Sequence, residues 1–312
     1  MKRLIALLLI ALVSVILVVT GCAKEEKSTT PAGQATQQAQ VKYGGTLKVI
    51  YPYMGTSLGW PATSRGGYSF YQIMCLEPLL EQTMDGTIIP RLATGYQIGD
   101  DNSITFTLRK GVKFHDGTPF NAEAVKFNFD AMKAEKKGAT VNWASVDVVD
   151  DYHVKVTYAN WTNWVISDFT HAGALYIVSP TAYQKNGLDW MKNHMVGTGP
   201  FVQTDWEQDV SVKFEKNKDY WQKGKPYVDR LEIICVVDPV TAQTTILSGG
   251  ADILNSEADQ KVVDMRAKGL QAITRPVGVI NIFPDSANAD SPLANKKLRE
   301  AIEYAINKEA IA

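Results

Sequence analysis

The sequence predicts an α/β body, with α+β as the other arrangement of the same elements, and three observations carry that prediction. Short runs such as "GGTLKVIY", "SITFTL" and "HVKVTY" show the period of two expected of strands. Stretches with helical periodicity stand between them, separated by Gly, Pro, Asn and Asp turn signals. No segment recurs at a fixed period, so strands and helices alternate without a repeat architecture.

The first strand follows from Leu47, Val49 and Tyr51, which alternate with Thr46, Lys48 and Ile50. Ser69–Gln82, "SFYQIMCLEPLLEQ", has the apolar density of a helix packed on a core. Asp85-Gly86 signals a turn, and Ile104, Phe106 and Leu108 alternate with Thr105 and Thr107 in the next strand. Gly111 and Asp116-Gly117-Thr118-Pro119 are further turns. Asn121 can accept a bond from a free amide of the following turn, and Glu123 suits the positive end of a helix dipole. A helix therefore begins near Ala122, with Val125, Phe129 and Met132 as its apolar face. Asp209–Glu215 and Asp229–Asp238 are predicted strands, and "DPVTAQTTILSGGADI" is a helix ended at Gly249-Gly250. Leu298, Ala301, Ile302, Ala305 and Ile306 share one face of a last helix, and the chain stops there without a terminating residue, as a piece of a longer chain would.

The two ends of the composition say where such a body belongs. Lys2 and Arg3 precede an apolar run from Leu4 to Val19, too short for a span of about 20 residues and shaped like a secretory leader. Thr20-Gly21-Cys22 closes it and resembles a bacterial lipobox, which implies lipidation of Cys22 and a leader over 1–22. Residues 23–42 are rich in Gln, Thr and Ala and begin without a large apolar residue, the composition of a disordered tether. The formal net charge is −1 and no basic block occurs, which argues against a nucleic-acid partner. Cys75 and Cys235 lie in apolar surroundings, "QIMCLEP" and "EIICVVDP", and both are read as free thiols of the core. The four histidines show no metal-ligand spacing, so no structural metal and no cofactor is expected.

Gly55-Thr56-Ser57-Leu58-Gly59 fits the GxSxG pattern of a serine hydrolase. A nucleophile elbow turns directly from strand to helix, whereas Pro61 disfavours helical geometry at Trp60. Nothing in the sequence fixes a histidine beside Ser57, so hydrolysis stays only as an alternative. The loop reads better as the lining of a ligand cleft, in which Ser57 sits among the flat faces of Tyr53 and Trp60. For Tyr53 and Trp60 a place in the core stays open, and Tyr51 is assigned to the core. Trp161 and Trp164 with Asn160 and Asn163 form an aromatic and amide patch, read as packed on its own lobe. Tyr220 and Trp221 are read as buried within a charged loop.

Five blocks taken together, "GGTLKV", "ITFTLRKGVKFHDGTPFNAEAVKFNFDAM", "VGTGPFVQTDWEQDVSVKFEKNKDYWQKGKPYVDRLEI", "DPVTAQTTILSGGADI" and "KLREAIEYAINKEAI", resemble the extracellular solute-binding proteins of family 5. These are the oligopeptide, dipeptide and nickel receptors of ABC importers. The resemblance implies a periplasmic-binding-protein type II-like fold of two hinged lobes with the ligand enclosed between them. It divides the chain into lobe I (43–60 and 173–275), a subdomain inserted in it (61–172), and the start of an incomplete, truncated lobe II (276–312). "GTGPF" would be a crossing near the hinge, which places Gly199 and Phe201 beside the ligand. Where many relatives carry a Leu-Asp-Pro turn, "SLGWP" keeps Leu58 and Pro61 and has Gly59-Trp60 in place of the acid, which leaves ligand preference open. What the resemblance implies is a monomeric, non-enzymatic lipoprotein in the cell envelope, held by a lipid on Cys22 at the outer face of the cytoplasmic membrane, or periplasmic. It would pass a di- or oligopeptide to the importer's permease subunits; a nickel chelate, an oligosaccharide or another small solute is the alternative. With lobe II incomplete, this chain by itself is expected to bind weakly or not at all.

Overall fold

The computed structural model describes residues 42–55, 57–62, 69–171, 174–255, 260–273 and 283–307. The chain divides into a unit of residues 1–42 and a unit of residues 43–312. The leader, Cys22 and the tether up to residue 41 lie outside the described residues, as does Thr56. In chain order the elements are β1 (Thr46–Tyr51), α1 (Ser69–Cys75), β2 (Leu80–Gln82), β3 (Ile88–Pro90), β4 (Ala93–Gly99) and β5 (Ser103–Leu108). There follow α2 (Ala122–Ala134), β6 (Trp143–Asp150), β7 (His153–Tyr158), α3 (Pro180–Met191), β8 (Phe201–Glu207), β9 (Ser211–Lys216) and β10 (Arg230–Cys235). The last are α4 (Pro239–Leu247), β11 (Ile253–Leu254), α5 (Gln260–Ala267) and α6 (Lys296–Ala305). No described helix is long and apolar enough to cross a membrane.

Two sheets organise these elements. A mixed sheet runs in the order β11-β1-β10-β9-β8, with β1 parallel to both β10 and β11 and with β10, β9 and β8 antiparallel to one another. An antiparallel sheet of order β4-β5-β7-β6 is built wholly from the stretch between residues 93 and 158, and β2 and β3 form a separate hairpin.

Side-chain alternation explains how the mixed sheet is covered. Val49 enters the large core, while Ile50, one residue on, points to the other face and is buried with Ala242, Ile246 and Ala251 under α4. Parallel strands are ordinarily covered on both faces, and β1 meets that condition at its carboxyl half. Farther back on the same strand, Lys48 lies in a solvent-facing row of alternating charge across the sheet. Its ammonium is 4.0 Å from Glu232, and Lys213 is 2.9 Å from Asp205.

Helix α2 begins where Asn121 directs, its side chain accepting the Ala124 N–H at 3.0 Å. Val125, Phe129 and Met132 are buried on the antiparallel sheet, with Phe129 against Trp143 and Phe169 at ring separations of 5.1 and 5.7 Å. Each such buried side chain contributes about 1.5–3 kcal/mol of transfer free energy. Helix α4 is capped by Asp238, which accepts the Thr241 N–H at 2.8 Å, and it ends at Gly249 with φ +76°.

Ser69–Gln82 differs from the expected single helix. The helix stops at Cys75, Glu77 makes an isolated bridge to Ile177, and Leu80–Gln82 is a strand. Pro78 accounts for this, because proline withdraws an amide donor and disfavours helical geometry at the residue before it. Cys235 also departs from the core position expected of it: it is half-buried at the carboxyl end of β10, whereas Cys75 is fully buried, and both are free thiols. Trp161 packs edge-on against Tyr158 at 5.5 Å, but Trp164 is 76% exposed rather than packed on its lobe.

Candidate ligand-binding site

In open sheets with parallel strands, ligands sit beyond the strands' carboxyl ends. Here those ends are Tyr51 on β1 and its register partner Cys235 on β10. The Tyr51 ring stacks on Phe70 at 4.4 Å with an interplanar angle of 12°, and it meets Tyr53 at 6.0 Å and Tyr71 at 5.6 Å, both edge-on. Tyr71 is fully buried in α1 and donates its hydroxyl to the Tyr53 carbonyl at 2.5 Å. Burial first, then the neighbouring Cys235, Tyr51 and Asp209, push the Tyr71 hydroxyl well above its ordinary value, so it stays a donor at neutral pH.

A second tie comes from the β8–β9 hairpin. The Met54 sulfur accepts the Trp206 indole N–H at 3.3 Å and the Asp209 backbone N–H at 3.0 Å. Tyr53 lies between these two anchors, with its backbone carbonyl held and the residue 54% exposed. The result is a fixed aromatic surface open to solvent at the end of the parallel strands.

The structure places the other expected residues deeper. Leu58 and Gly59 donate their amides to the Lys192 carbonyl at 2.6 and 3.3 Å, and a Cβ on Gly59 would come within 1.9 Å of the His194 carbonyl oxygen. Trp60 is buried and stacks on Tyr183 at 4.4 Å. The Ser57 hydroxyl is buried and has no hydrogen-bond partner among the described residues. A serine nucleophile needs a base in hydrogen-bond reach, and the chain at Leu58 and Gly59 bends instead of opening a helix. Leu58, Gly59 and Trp60 are thus packed on the 183–194 segment.

Gly199 and Phe201 belong to a third cluster, around the end of α1. The Gly199 amide donates to the Cys75 carbonyl at 2.9 Å, and a Cβ there would lie 2.6 Å from the Cys75 carbonyl carbon. His115 clamps the same turn: Nδ1 accepts the Gly197 N–H at 3.4 Å, so Nε2 donates to the Gly199 carbonyl at 3.0 Å. Burial lowers the His115 pKa, which keeps the ring neutral in that tautomer. Next to it lies Glu77, fully buried, whose carboxylate accepts from Arg91 Nε at 2.8 Å, Thr198 Oγ1 at 2.8 Å, Tyr220 OH at 2.9 Å and Trp221 Nε1 at 2.9 Å. Arg109 covers the Trp221 ring at 4.2 Å. Tyr220 is buried as expected and Trp221 half-buried. The role of Glu77 had a signal in the sequence, a lone acid inside the apolar run "CLEPLL", since a charge in such a run is buried only if it is paired. Among the described residues no group of three or more His, Cys, Asp or Glu gathers to hold a metal ion.

Residues 87–312 match the family described as bacterial extracellular solute-binding proteins, family 5 Middle. The chain belongs to that family. Its fold is that of the periplasmic binding proteins of type II, as solved relatives show. One is the DppA periplasmic binding protein of Helicobacter pylori, solved with the peptide STSA, at TM-score 0.65 and 24% identity over 73% of this chain and 50% of that one. Another is an ABC transporter substrate-binding protein from Sinorhizobium meliloti, at TM-score 0.63 and 27% identity over 73% of this chain and 48% of that one. Among curated proteins, the glutathione-binding protein GsiB of Salmonella choleraesuis is 32% identical over 284 residues, 89% of this chain and 53% of the relative. The family 5 chain described here therefore spans about half the length of the curated relatives it matches. The relatives named are binding proteins, not enzymes.

Proposed function

We propose that this protein is the solute receptor of an ABC importer, that it captures short peptides outside the cytoplasmic membrane, and that it hands them to the permease. The observation that supports this reading best is the exposed aromatic surface of Tyr53, backed by Tyr51 and Phe70, at the carboxyl ends of β1 and β10. Such rings offer a flat apolar face with polar edges, which accepts a peptide of almost any sequence. The likeness to glutathione-binding proteins favours the same class, since glutathione is itself a small peptide.

No bond is made or broken in this function. A hinge closes two lobes on the ligand because the closed form alone touches it from both sides, and the closed shape is what the permease selects. In this reading Tyr53 belongs to one wall, with Ser57, Trp60, Gly199 and Phe201 behind it. A lipid on Cys22 tethers the receptor to the outer face of the membrane through the polar segment that follows.

Mass spectrometry tests the reading on protein recovered from its own cells without refolding. Native spectra should carry a ladder of peptide masses, and the denatured chain should start at Cys22 with a diacylglycerol adduct. A single non-peptide ligand mass, such as a nickel chelate or an oligosaccharide, would replace the peptide assignment. An unmodified Cys22 would remove the anchor.

A further inference from the structure

Strand β6 stands at one edge of the antiparallel sheet, with β7 on one side and no other strand beside it among the described residues. An edge of this kind leaves alternate N–H and C=O groups turned outward, a template for a strand of another chain. Its composition suits it to pairing, since Val146, Val148 and Val149 fall within its eight residues. Two lysines on one face of α2 reach over this edge. The Lys126 ammonium donates to the Val146 carbonyl at 2.7 Å and is held there by Asp130 at 2.8 Å. The Lys133 ammonium donates to the carbonyl of Ala144, the residue left unpaired where the register with β7 shifts between Trp143 and Ser145.

We propose that β6 is a self-association surface for a second copy of this chain, and that Lys126 and Lys133 hold it shut. The strand fits itself. Paired antiparallel with its own copy about Val146, it sets Val146 against Val146, Val148 against Ala144 and Asp147 against Ser145, so that no two like charges face each other along it. The obstacle is the Lys126 ammonium, which occupies the Val146 acceptor at the centre of that pairing. A two-fold axis there brings the same cation of each copy together in the place of a backbone hydrogen bond. Lys133 blocks the next acceptor, at Ala144. Lysines and bulges are the usual means of closing an edge, and the β6 register shifts a second time between Val148 and Asp150. The inference does not depend on which solute the receptor binds.

The test compares the full-length protein with two double variants, by sedimentation velocity in density-matched detergent and by amide hydrogen exchange. Lys126→Met with Lys133→Met keeps side-chain length and helix propensity but removes both donors and both charges, whereas Lys126→Arg with Lys133→Arg keeps them. The wild type and the arginine pair should sediment as monomers. The methionine pair should self-associate at least about tenfold more strongly, with exchange slowed at the Val146 and Val148 amides. A methionine pair that stays monomeric, even with a lowered Tm, shows that the lysines only fasten α2 to the sheet and overturns the inference. Association without slowed exchange in β6, an arginine pair that associates equally, or a wild type already joined through β6 overturns it too.

Discussion

Glu77 is a fully buried carboxylate on which four donors converge, from Arg91, Thr198, Tyr220 and Trp221. Removing a charge from water costs several kcal/mol, and only near-complete hydrogen bonding offsets it. The donors come from the β3–β4 junction, the turn before β8 and the loop before β10, so one residue joins three distant stretches of chain. Burial first, then Glu77, raises the Tyr220 hydroxyl, so it remains a donor at neutral pH. Glu77→Gln keeps the volume but turns an amide nitrogen toward either Arg91 Nε or Trp221 Nε1, which can only donate, and it leaves Glu81, at 2.8 Å, as the carboxylate paired with Arg91. The expected loss is about 3 kcal/mol, a fall in Tm of roughly 6–12 °C for a body of this size. Urea and thermal unfolding of the two proteins measure it. A change of less than about 0.5 kcal/mol, the ordinary range for surface substitutions, would show that the four bonds contribute nothing net.

At the scale of elements, the turn Gly197–Phe201 shows what a glycine pattern does and does not reveal. Two glycines and a proline within four positions signal that another backbone comes close, and one does. The neighbour at Gly199 is the carbonyl end of α1, with a hydrogen bond to Cys75 at 2.9 Å. A methyl group there would stand 2.6 Å from the Cys75 carbonyl carbon and 2.8 Å from the Met74 carbonyl oxygen. Neither is a flexible side-chain end that could yield, so α1 and the turn must separate. Gly199→Ala should cost about 2 kcal/mol or more, whereas Gly111→Ala, where a Cβ meets nothing within 4 Å, should show only the smaller cost of its φ of +76°. Chemical denaturation of the pair checks the order, and equal losses would refute the close-approach account. Strand alternation, the Asn121 cap and the glycine stop after α4 were legible because each rests on neighbours in sequence. The contacts of Tyr71 with Tyr53 and of Met54 with Trp206 and Asp209 were not, since they join residues 18, 152 and 155 positions apart that no local period relates.

For the whole molecule, the decisive feature is that the large core is continuous. Val49, Val212, Phe214, Leu231 and Ile233 from the mixed sheet belong to one buried cluster with Ile104, Phe106, Val154 and Val156 from the antiparallel sheet, and Tyr71 and Leu76 of the α1 region are part of it. Interiors of this kind transmit the loss of a side chain, because close-packed groups have few ways to relax. Phe129 is a suitable probe, since it is buried on the antiparallel sheet and remote in sequence from β1 and β10. Phe129→Ala should cost about 3–5 kcal/mol. If the core makes the body one cooperative unit, amide exchange limited by global opening accelerates by the same factor in β7 and in β10. Were only β7 to accelerate, with β10 unchanged, the two sheets would be separate folding units despite their shared core. The outcome bears on the receptor reading as well: a body that opens as one unit presents Tyr53 on a rigid wall, as a hinged capture requires, whereas independent sheets would let that wall deform before any ligand arrives.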